Sequence, residues 1–423
     1  MASEYGPRRA GSLAPGYAVD GIEPSRVERP ATVDALSGLL READARGEVV
    51  VPWGGGTSMG LGNLPERVGL ALDLRGLNEI VSYDPADLTV AVQAGMTLAE
   101  LNRRLGAHGE MLPVDAADPE RATIGGLVAS GVAGPRRFGY GPLRDLLIGI
   151  TVALPDGRLT KGGGMVVKNV TGFDMMRLHY GALGSLGVIV QVNLKVIPRP
   201  GAQRAVIARY ADGRAALDAA MAVRLSQLGP TAIALLDRGA AVAGDLQPAA
   251  WQLVLRGEAP PAAADRQAER LAAAVAPGAE AVEVIVDGVD DLWARVSRAV
   301  AAPPVVDEIR VRLGVRPSLM DAVLDRIVQL VPPEGRWMMV DLGAGLVYLG
   351  WSLSPERTGS AGETIERLRA IADHAVVLSA PATVKGEIDV FGPEPEGFAV
   401  TRALKMQFDP HRTLNRGRFA GRL

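Results

Sequence analysis

Three clusters of small and hydroxylic residues are the groups in this chain best suited to chemistry. The first is Pro52, Trp53, Gly54, Gly55, Gly56, Thr57, Ser58 and Met59, directly behind the apolar run VVV at 49–51. A strand that breaks into three glycines can bring its backbone against another group, because no Cβ stands in the way. Successive N–H groups in such a turn form a concave nest for an anion, and the hydroxyls of Thr57 and Ser58 add donors. The second cluster lies within PVDAADPERATIGGLVASGVAG at 113–134 and holds Asp115, Thr123, Ile124, Gly125, Gly126, Ser130, Gly131 and Gly134. The third, GSLGVI at 184–189, ends in Gly187, Val188 and Ile189 at the head of an apolar strand. Donors of this kind suit a pyrophosphate. The two commonest nucleotide patterns are missing: no glycine precedes Lys-Ser or Lys-Thr at P-loop spacing, and Gly181, Gly184 and Gly187 do not have the GxGxxG spacing. Taken alone, the triple glycine is equally a tight turn between strands.

Other chemistries are excluded by composition. The chain has 423 residues and no cysteine, which rules out a disulfide, a thiolate nucleophile, a cysteine-linked cofactor and a cysteine-held iron–sulfur cluster within it. Its four histidines, His108, His179, His374 and His411, form no HxH, HxxxH or HExxH group, so no histidine metal site is expected. The 45 basic and 48 acidic side chains leave a net charge of −3 with no basic block, which argues against nucleic acid as a partner. No apolar run reaches the roughly 18 residues that span a bilayer, and the N-terminus lacks the apolar stretch of a secretory signal. The expectation is a cytoplasmic protein that meets a membrane only through a partner.

The elements that must carry these clusters follow from periodicity. Thr32 to Arg46 reads as an amphipathic helix, with Val33, Leu36, Leu39 and Leu40 on one face. A strand at 48–51 delivers the first glycines. Val68, Leu70, Leu72 and Leu74 alternate as in a half-buried strand, and Val90 and Val92 repeat the pattern. Thr97 and Glu100 make a capping box for a helix that ends near Gly106 or Gly109. A hairpin turns at Pro155-Asp156-Gly157, and the strand after Gly187 stops at Pro198. Beyond that boundary, strands near 205–210, 231–236, 251–256, 281–286, 305–313, 336–341 and 345–351 are mixed with helices near 213–228, 261–275, 288–300, 317–331 and 360–374.

The order of the three clusters resembles the FAD-binding domain of the vanillyl-alcohol oxidase/para-cresol methylhydroxylase flavoproteins. Within that superfamily the chain resembles the FAD-binding subunits of bacterial glycolate oxidase (glycolate dehydrogenase). The residues that carry the likeness are PWGGGTS, TIGG, GPRR at 134–137, Arg144 and Asp145, KNVTGFD at 168–174, Arg177 and Leu178, and GSLGVI, with FDPH at 408–411 and NRGR at 415–418 near the end. It is dense over 49–200, thin over 200–395, and returns in the final segment.

The resemblance implies an α+β fold. A loose arm at 1–25 would precede a two-part FAD-binding domain of the para-cresol methylhydroxylase type at 26–200, with subdomains 26–75 and 76–200. An α/β cap at 201–395 and a C-terminal segment at 396–423 packing back on the FAD domain would follow. It implies that the first loop and TIGG wrap the FAD pyrophosphate mainly through backbone N–H groups. Val188 and Ile189 would face the adenine, and the small residues of 129–134, with Arg137 nearby, would run beside the ribityl chain and flavin ring. Thr57, Ser58 and Met59 stand where relatives that tether flavin carry His or Cys, so the FAD is expected to be non-covalent. The catalytic relatives place histidines in the cap, often as HxHxG; this cap has His374 alone and reads KGEID at 385–389, with Arg310 or Arg312 able to bind a carboxylate. The expectation is therefore a flavoprotein subunit of a glycolate- or D-lactate-oxidising complex, working with a catalytic flavoprotein subunit and an iron–sulfur subunit. The alternatives are a stand-alone FAD-dependent dehydrogenase or oxidase, and a scaffold that keeps the fold for assembly.

Overall fold

The computed structural model describes residues 16–132, 134–165, 173–301, 307–331, 335–353 and 361–423. Most of the N-terminal arm, Ala133 and the greater part of the KNVTGFD run lie outside these residues.

The first glycine cluster hangs from a small parallel sheet, β1 (Arg26–Glu28), β2 (Val50–Trp53) and β3 (Leu70–Asp73), with β3 in the middle. Every residue of β3 is buried, where its alternation led us to expect one solvent face. The reason is that both faces are covered. Leu70 and Leu72 pack on Leu36 and Leu40 of helix α1 (Val33–Ala45), while Ala71 packs with Tyr17, Val51 and Trp53. Parallel strands buried in this way lose the polar half of their pattern. Helix α1 starts where Thr32 accepts a hydrogen bond from the Ala35 amide, a side-chain N-cap.

A second sheet is antiparallel: β4 (Ile80–Asp84), β5 (Thr89–Gln93), β7 (Leu147–Ala153), β8 (Leu159–Gly163) and β9 (Val188–Lys195), in spatial order 4-5-9-7-8. Outside it, the short β6 (Glu110–Met111) pairs with β10 (Ile197–Pro198). Two helices pack on this sheet, α2 (Leu98–Gly106) and α3 (Ile124–Ser130). The TIGG cluster opens α3, an element its glycines hid from periodicity.

The cap is one eight-stranded sheet of β11 (Ala202–Tyr210), β12 (Ala232–Asp237), β13 (Trp251–Ala259), β14 (Ala281–Ile285), β15 (Glu308–Gly314), β16 (Trp337–Asp341), β17 (Leu346–Ser352) and β18 (His374–Ser379), in order 14-11-13-12-16-17-15-18. All of its pairings are antiparallel, so the mixed α/β texture of the sequence resolves into helices laid on an antiparallel sheet. Helices Gly213–Leu225, Pro261–Val275, Met320–Leu330 and Ala361–Ile371 cover one face. Strand β18 and the short helix Arg238–Ala243 had no sequence signal strong enough to be anticipated.

After helix Phe398–Phe408 the chain returns to the first sheet, where Leu414 bridges Val50 in parallel. The Val50 amide donates to Thr413 O at 2.8 Å and the Asn415 amide to Val50 O at 2.9 Å. Lys405 locks this return, donating to Asp409 at 2.6 Å, Ser185 O at 2.8 Å and Leu414 O at 2.9 Å.

Candidate functional site

The glycine loop leaves β2 over a rigid floor. The Trp53 ring lies 5.0 Å from the Tyr17 ring, and a Cβ on Gly56 would stand 3.0 Å from it, so Trp53 serves the core beneath the loop. Gly54 and Gly55 are glycines because another segment presses on them. A Cβ on Gly54 would lie 2.3 Å from the Thr123 hydroxyl, and one on Gly55 only 1.7 Å from the Arg121 carbonyl oxygen. Arg121 also donates to the Gly55 carbonyl at 3.0 Å. The first and second clusters are therefore in direct contact.

Their donors differ. Among the described residues, none of the backbone N–H groups of residues 55–60 has an acceptor within the chain. Gly55 alone of these residues is buried; Thr57 is exposed and the rest are half-buried, so the row is open to solvent or to a ligand that supplies acceptors. The TIGG amides, expected to share in holding phosphate, are already engaged. Ile124 donates to Met96 O, Gly125 to Ala94 O, and Gly126 to the Thr123 hydroxyl that caps α3. What this segment contributes is close approach, since a Cβ on Gly125 would lie 2.6 Å from that of Ala94. Open amides in succession are the donors that a dipole-based anion nest requires.

The remaining expected residues have clear places. Ser130 and Gly131 end α3, with Gly131 in the left-handed region at φ 64° and packed on Tyr180 and Gly181. Asp115 accepts the Arg136 amide at 2.7 Å and fills the space where Gly134 lacks a Cβ, so it shapes the turn. Gly187 lies against Val152, and the side chains of Val188 and Ile189 point into two cores, which leaves the backbone groups of this strand for the adenine contact that was expected of backbone and side chains together. Pro52 stays in β2 near Gly184, while Thr57 is exposed and Ser58 and Met59 are half-buried.

The arginines of GPRR divide. Arg136 crosses to the cap, bonding Glu258 at 3.0 Å and Asp290 at 3.1 Å, while its Nε stays 3.8 Å from Asp115 of its own segment. Arg137 is half-buried and acts electrostatically on Asp341 and Tyr348 of the cap. Asp341, at the end of β16, is fully buried. One oxygen accepts the Ala344 amide at 3.1 Å and the other has no partner, and burial pushes its carboxyl up to about 7. Burial likewise raises the Tyr348 hydroxyl to about 12, with Arg312 bonded to it and holding it down slightly. Of the two arginines considered for a carboxylate, Arg310 is spent on Glu308 at 2.6 Å and lies over Trp337, whereas the Arg312 Nε has no acceptor. Asp341 and Tyr348 went unnoticed in the sequence; the one signal was a lone acid in the apolar run WMMVDLGAGLVYLGW.

None of the histidines serves the loop. His179 is buried against Phe408 and Gly187, His108 edges Tyr83, His411 bonds Asp44, and His374 lies across from Gly314. A pocket of about 220 Å³ between 177–186 and helix Phe398–Phe408 is lined by neither the glycine loop nor the cap cluster.

Comparison with known proteins agrees with this geometry. Residues 24–163 match a family model described as an FAD binding domain. The chain is 42% identical over 135 residues to glycolate oxidase subunit GlcE of Escherichia coli (strain K12), covering 32% of this chain and 39% of the relative. It is 30% identical over 215 residues to glycolate oxidase subunit GlcD of Bacillus subtilis (strain 168), covering 51% and 46%. It is 31% identical over 211 residues to the mitochondrial D-lactate dehydrogenase (cytochrome) 1 of Saccharomyces cerevisiae, covering 49% and 36%. The matches thus span less than half the length of these curated relatives. In fold, the chain matches p-cresol methylhydroxylase with substrate bound at a TM-score of 0.71 and 16% identity, covering 94% of this chain and 89% of that one. An alkyldihydroxyacetonephosphate synthase matches at 0.71 and 17%, covering 93% and 76%. Residues 24–163 are thus similar to the FAD binding domain of that family model, and the chain has the fold of p-cresol methylhydroxylase.

Proposed function

We propose that this chain is the FAD-holding flavoprotein subunit of a complex that oxidises glycolate or D-lactate, with the FAD bound non-covalently. The observation that carries the reading is the row of unengaged amides at 55–60, within the residues that match an FAD binding domain model, in a chain similar to glycolate oxidase subunits. Bound FAD supplies a two-electron acceptor at its flavin ring. Residues 55–60 would hold its diphosphate, and the small residues around Gly131 would leave room for the ribityl chain and ring. A sister flavoprotein would oxidise the hydroxy acid. An iron–sulfur subunit would carry electrons away, since this chain has no cysteine to hold a cluster. The complex would work in the cytoplasm and touch the membrane only through its partners.

A second reading, turnover by this chain itself, is favoured by the cap cluster. Asp341 could accept the hydroxyl proton, given a carboxyl near 7 and a free oxygen, and Arg312 could bind the substrate carboxylate. The visible spectrum of the purified chain separates the two. Under the first reading its FAD stays oxidised when glycolate or D-lactate is added anaerobically, and bleaches only with the partner subunits present. Rapid bleaching of the isolated chain would establish the second. A colourless chain that FAD cannot reconstitute would refute both.

A further inference from the structure

The glycine loop is held from behind by two buried cations. Arg418, 3% exposed, donates through Nη2 to the carbonyl oxygens of Met59 and Leu61, each at 2.8 Å. Lys385, 0% exposed, donates through Nζ to the carbonyl of Gly60 at 2.7 Å. Three successive carbonyls therefore face these cations. In a trans peptide the N–H points opposite to the C=O, so anchoring the Met59 oxygen turns the Gly60 amide away from the cations. Through the Met59 oxygen Arg418 thus sets the direction of the last amide of the row, Gly60; the carbonyl that Lys385 holds shares its peptide with the Leu61 amide, which donates to Ser58 O, so Lys385 fixes the backbone just beyond the row.

Their charge is not balanced. Asp20 is the carboxylate in contact, bonding Lys385 at 2.7 and 2.9 Å. Among the described residues Arg418 pairs with no carboxylate; its Nη1 reaches Asn415 Oδ1 at 3.3 Å and its Nε has no acceptor. Burial lowers the Arg418 guanidinium to about 10 and lowers the Lys385 ammonium too, with Asp20 opposing the shift in both. Two buried cations against one carboxylate leave an excess positive charge behind the loop, which is costly unless an anion lies near.

We propose that the diphosphate of FAD, in front of the loop, is the counter-charge for this pair, and that Arg418 and Lys385 are positioning residues for it. They act through the peptide groups of 59–61 and touch no phosphate. This rests on the assignment of the diphosphate to residues 55–60. The test compares the intact chain with Arg418→Met, Arg418→Lys and Lys385→Met, measuring the dissociation constants of FAD and ADP and the melting temperature of each FAD-free protein. Arg418→Met and Lys385→Met should each weaken both ligands by about 10- to 100-fold, the range typical of groups that orient a binding shell. Arg418→Lys, which keeps the charge, should recover most of that loss, and the melting rise that FAD produces should shrink in both Met variants. Wild-type chain that binds FAD while both Met variants keep affinity within threefold would overturn the proposal alone. Equal weakening by Arg418→Lys and Arg418→Met would also overturn it, because charge would then not be what matters. Wild-type chain that binds neither FAD nor ADP would overturn the assignment of the diphosphate as well.

Discussion

Gly55 and Gly38 show how differently one residue type can be constrained. A Cβ on Gly55 would fall 1.7 Å from a backbone oxygen, so the loop or the 121–123 segment must move to admit it. Gly55→Ala should therefore strip most of the FAD on desalting, read as a fall in the ratio of flavin to protein absorbance. Gly38, on α1, has nothing within 4 Å of its missing Cβ, and Gly38→Ala should raise stability by about 0.5–1 kcal/mol in urea titration. Local sequence puts Gly55 in a triple glycine behind a strand and Gly38 inside an amphipathic helix, and shows the space beside neither. What does is the approach of a segment 66 residues away, the separation of Gly55 from Arg121. For the same reason the sequence marked Gly54, Gly55 and Gly56 as chemically useful without revealing that the TIGG amides are already occupied. A donor's availability depends on tertiary acceptors such as Met96 O and Ala94 O, which no motif encodes.

At the scale of elements, helices with side-chain caps were the most legible. Thr97 caps α2 as its spacing implies, although Glu100 turns to Arg103 and Arg104 instead of back to the cap, and Thr32 caps α1 at the start of its amphipathic run. Elements defined by distant contacts were less legible. Strand β3 looked half-exposed and is a central strand, α3 was masked by its glycines, and β18 begins at an exposed histidine. The returning C-terminal segment depends on one compact device, Lys405 and Asp409, both nearly inaccessible. Asp409 also accepts the amides of Thr413 at 2.7 Å and Leu414 at 2.8 Å, so it shapes the turn that meets Val50. Lys405→Met would strand a buried carboxylate and should cost about 3–5 kcal/mol in urea unfolding. The double variant Lys405→Met/Asp409→Asn should cost less than the sum of the two single changes.

Across the whole molecule, two buried titratable groups pull stability in opposite directions over one pH window. The Asp341 carboxyl sits near 7 in the fold and near 4 when unfolded, so its contribution is fully present below about pH 4 and is lost as pH rises through 7. Burial lowers the His179 imidazole to about 4, so its contribution is present above about pH 6.5 and is lost as pH falls through 4. Between about pH 4 and 6.5 the two slopes oppose each other, so these groups should leave melting of the FAD-free chain nearly level there, with a small net loss by pH 7. Asp341→Asn removes the falling contribution, so melting of the variant should rise with pH from about 4 to 6.5; a variant as level as the wild type would refute the account. The division into a glycine-rich first half and an alanine- and arginine-rich second half was visible in the sequence. The seam between them was not, because Arg136, Glu258 and Asp290 meet only in three dimensions.

The hydrogen bond from Arg418 to the Met59 carbonyl joins residues 359 positions apart. At ribosomal speeds of about 5–20 residues per second, a chain needs roughly 20–70 s to cover that distance. Throughout that interval the glycine loop exists without the arginine that orients it, while the whole cap is being made. On the proposed placement of the diphosphate, flavin loading would then wait for residue 418. A nascent chain stalled within the cap would carry the PWGGGTS motif complete in sequence and unfinished as a binding surface.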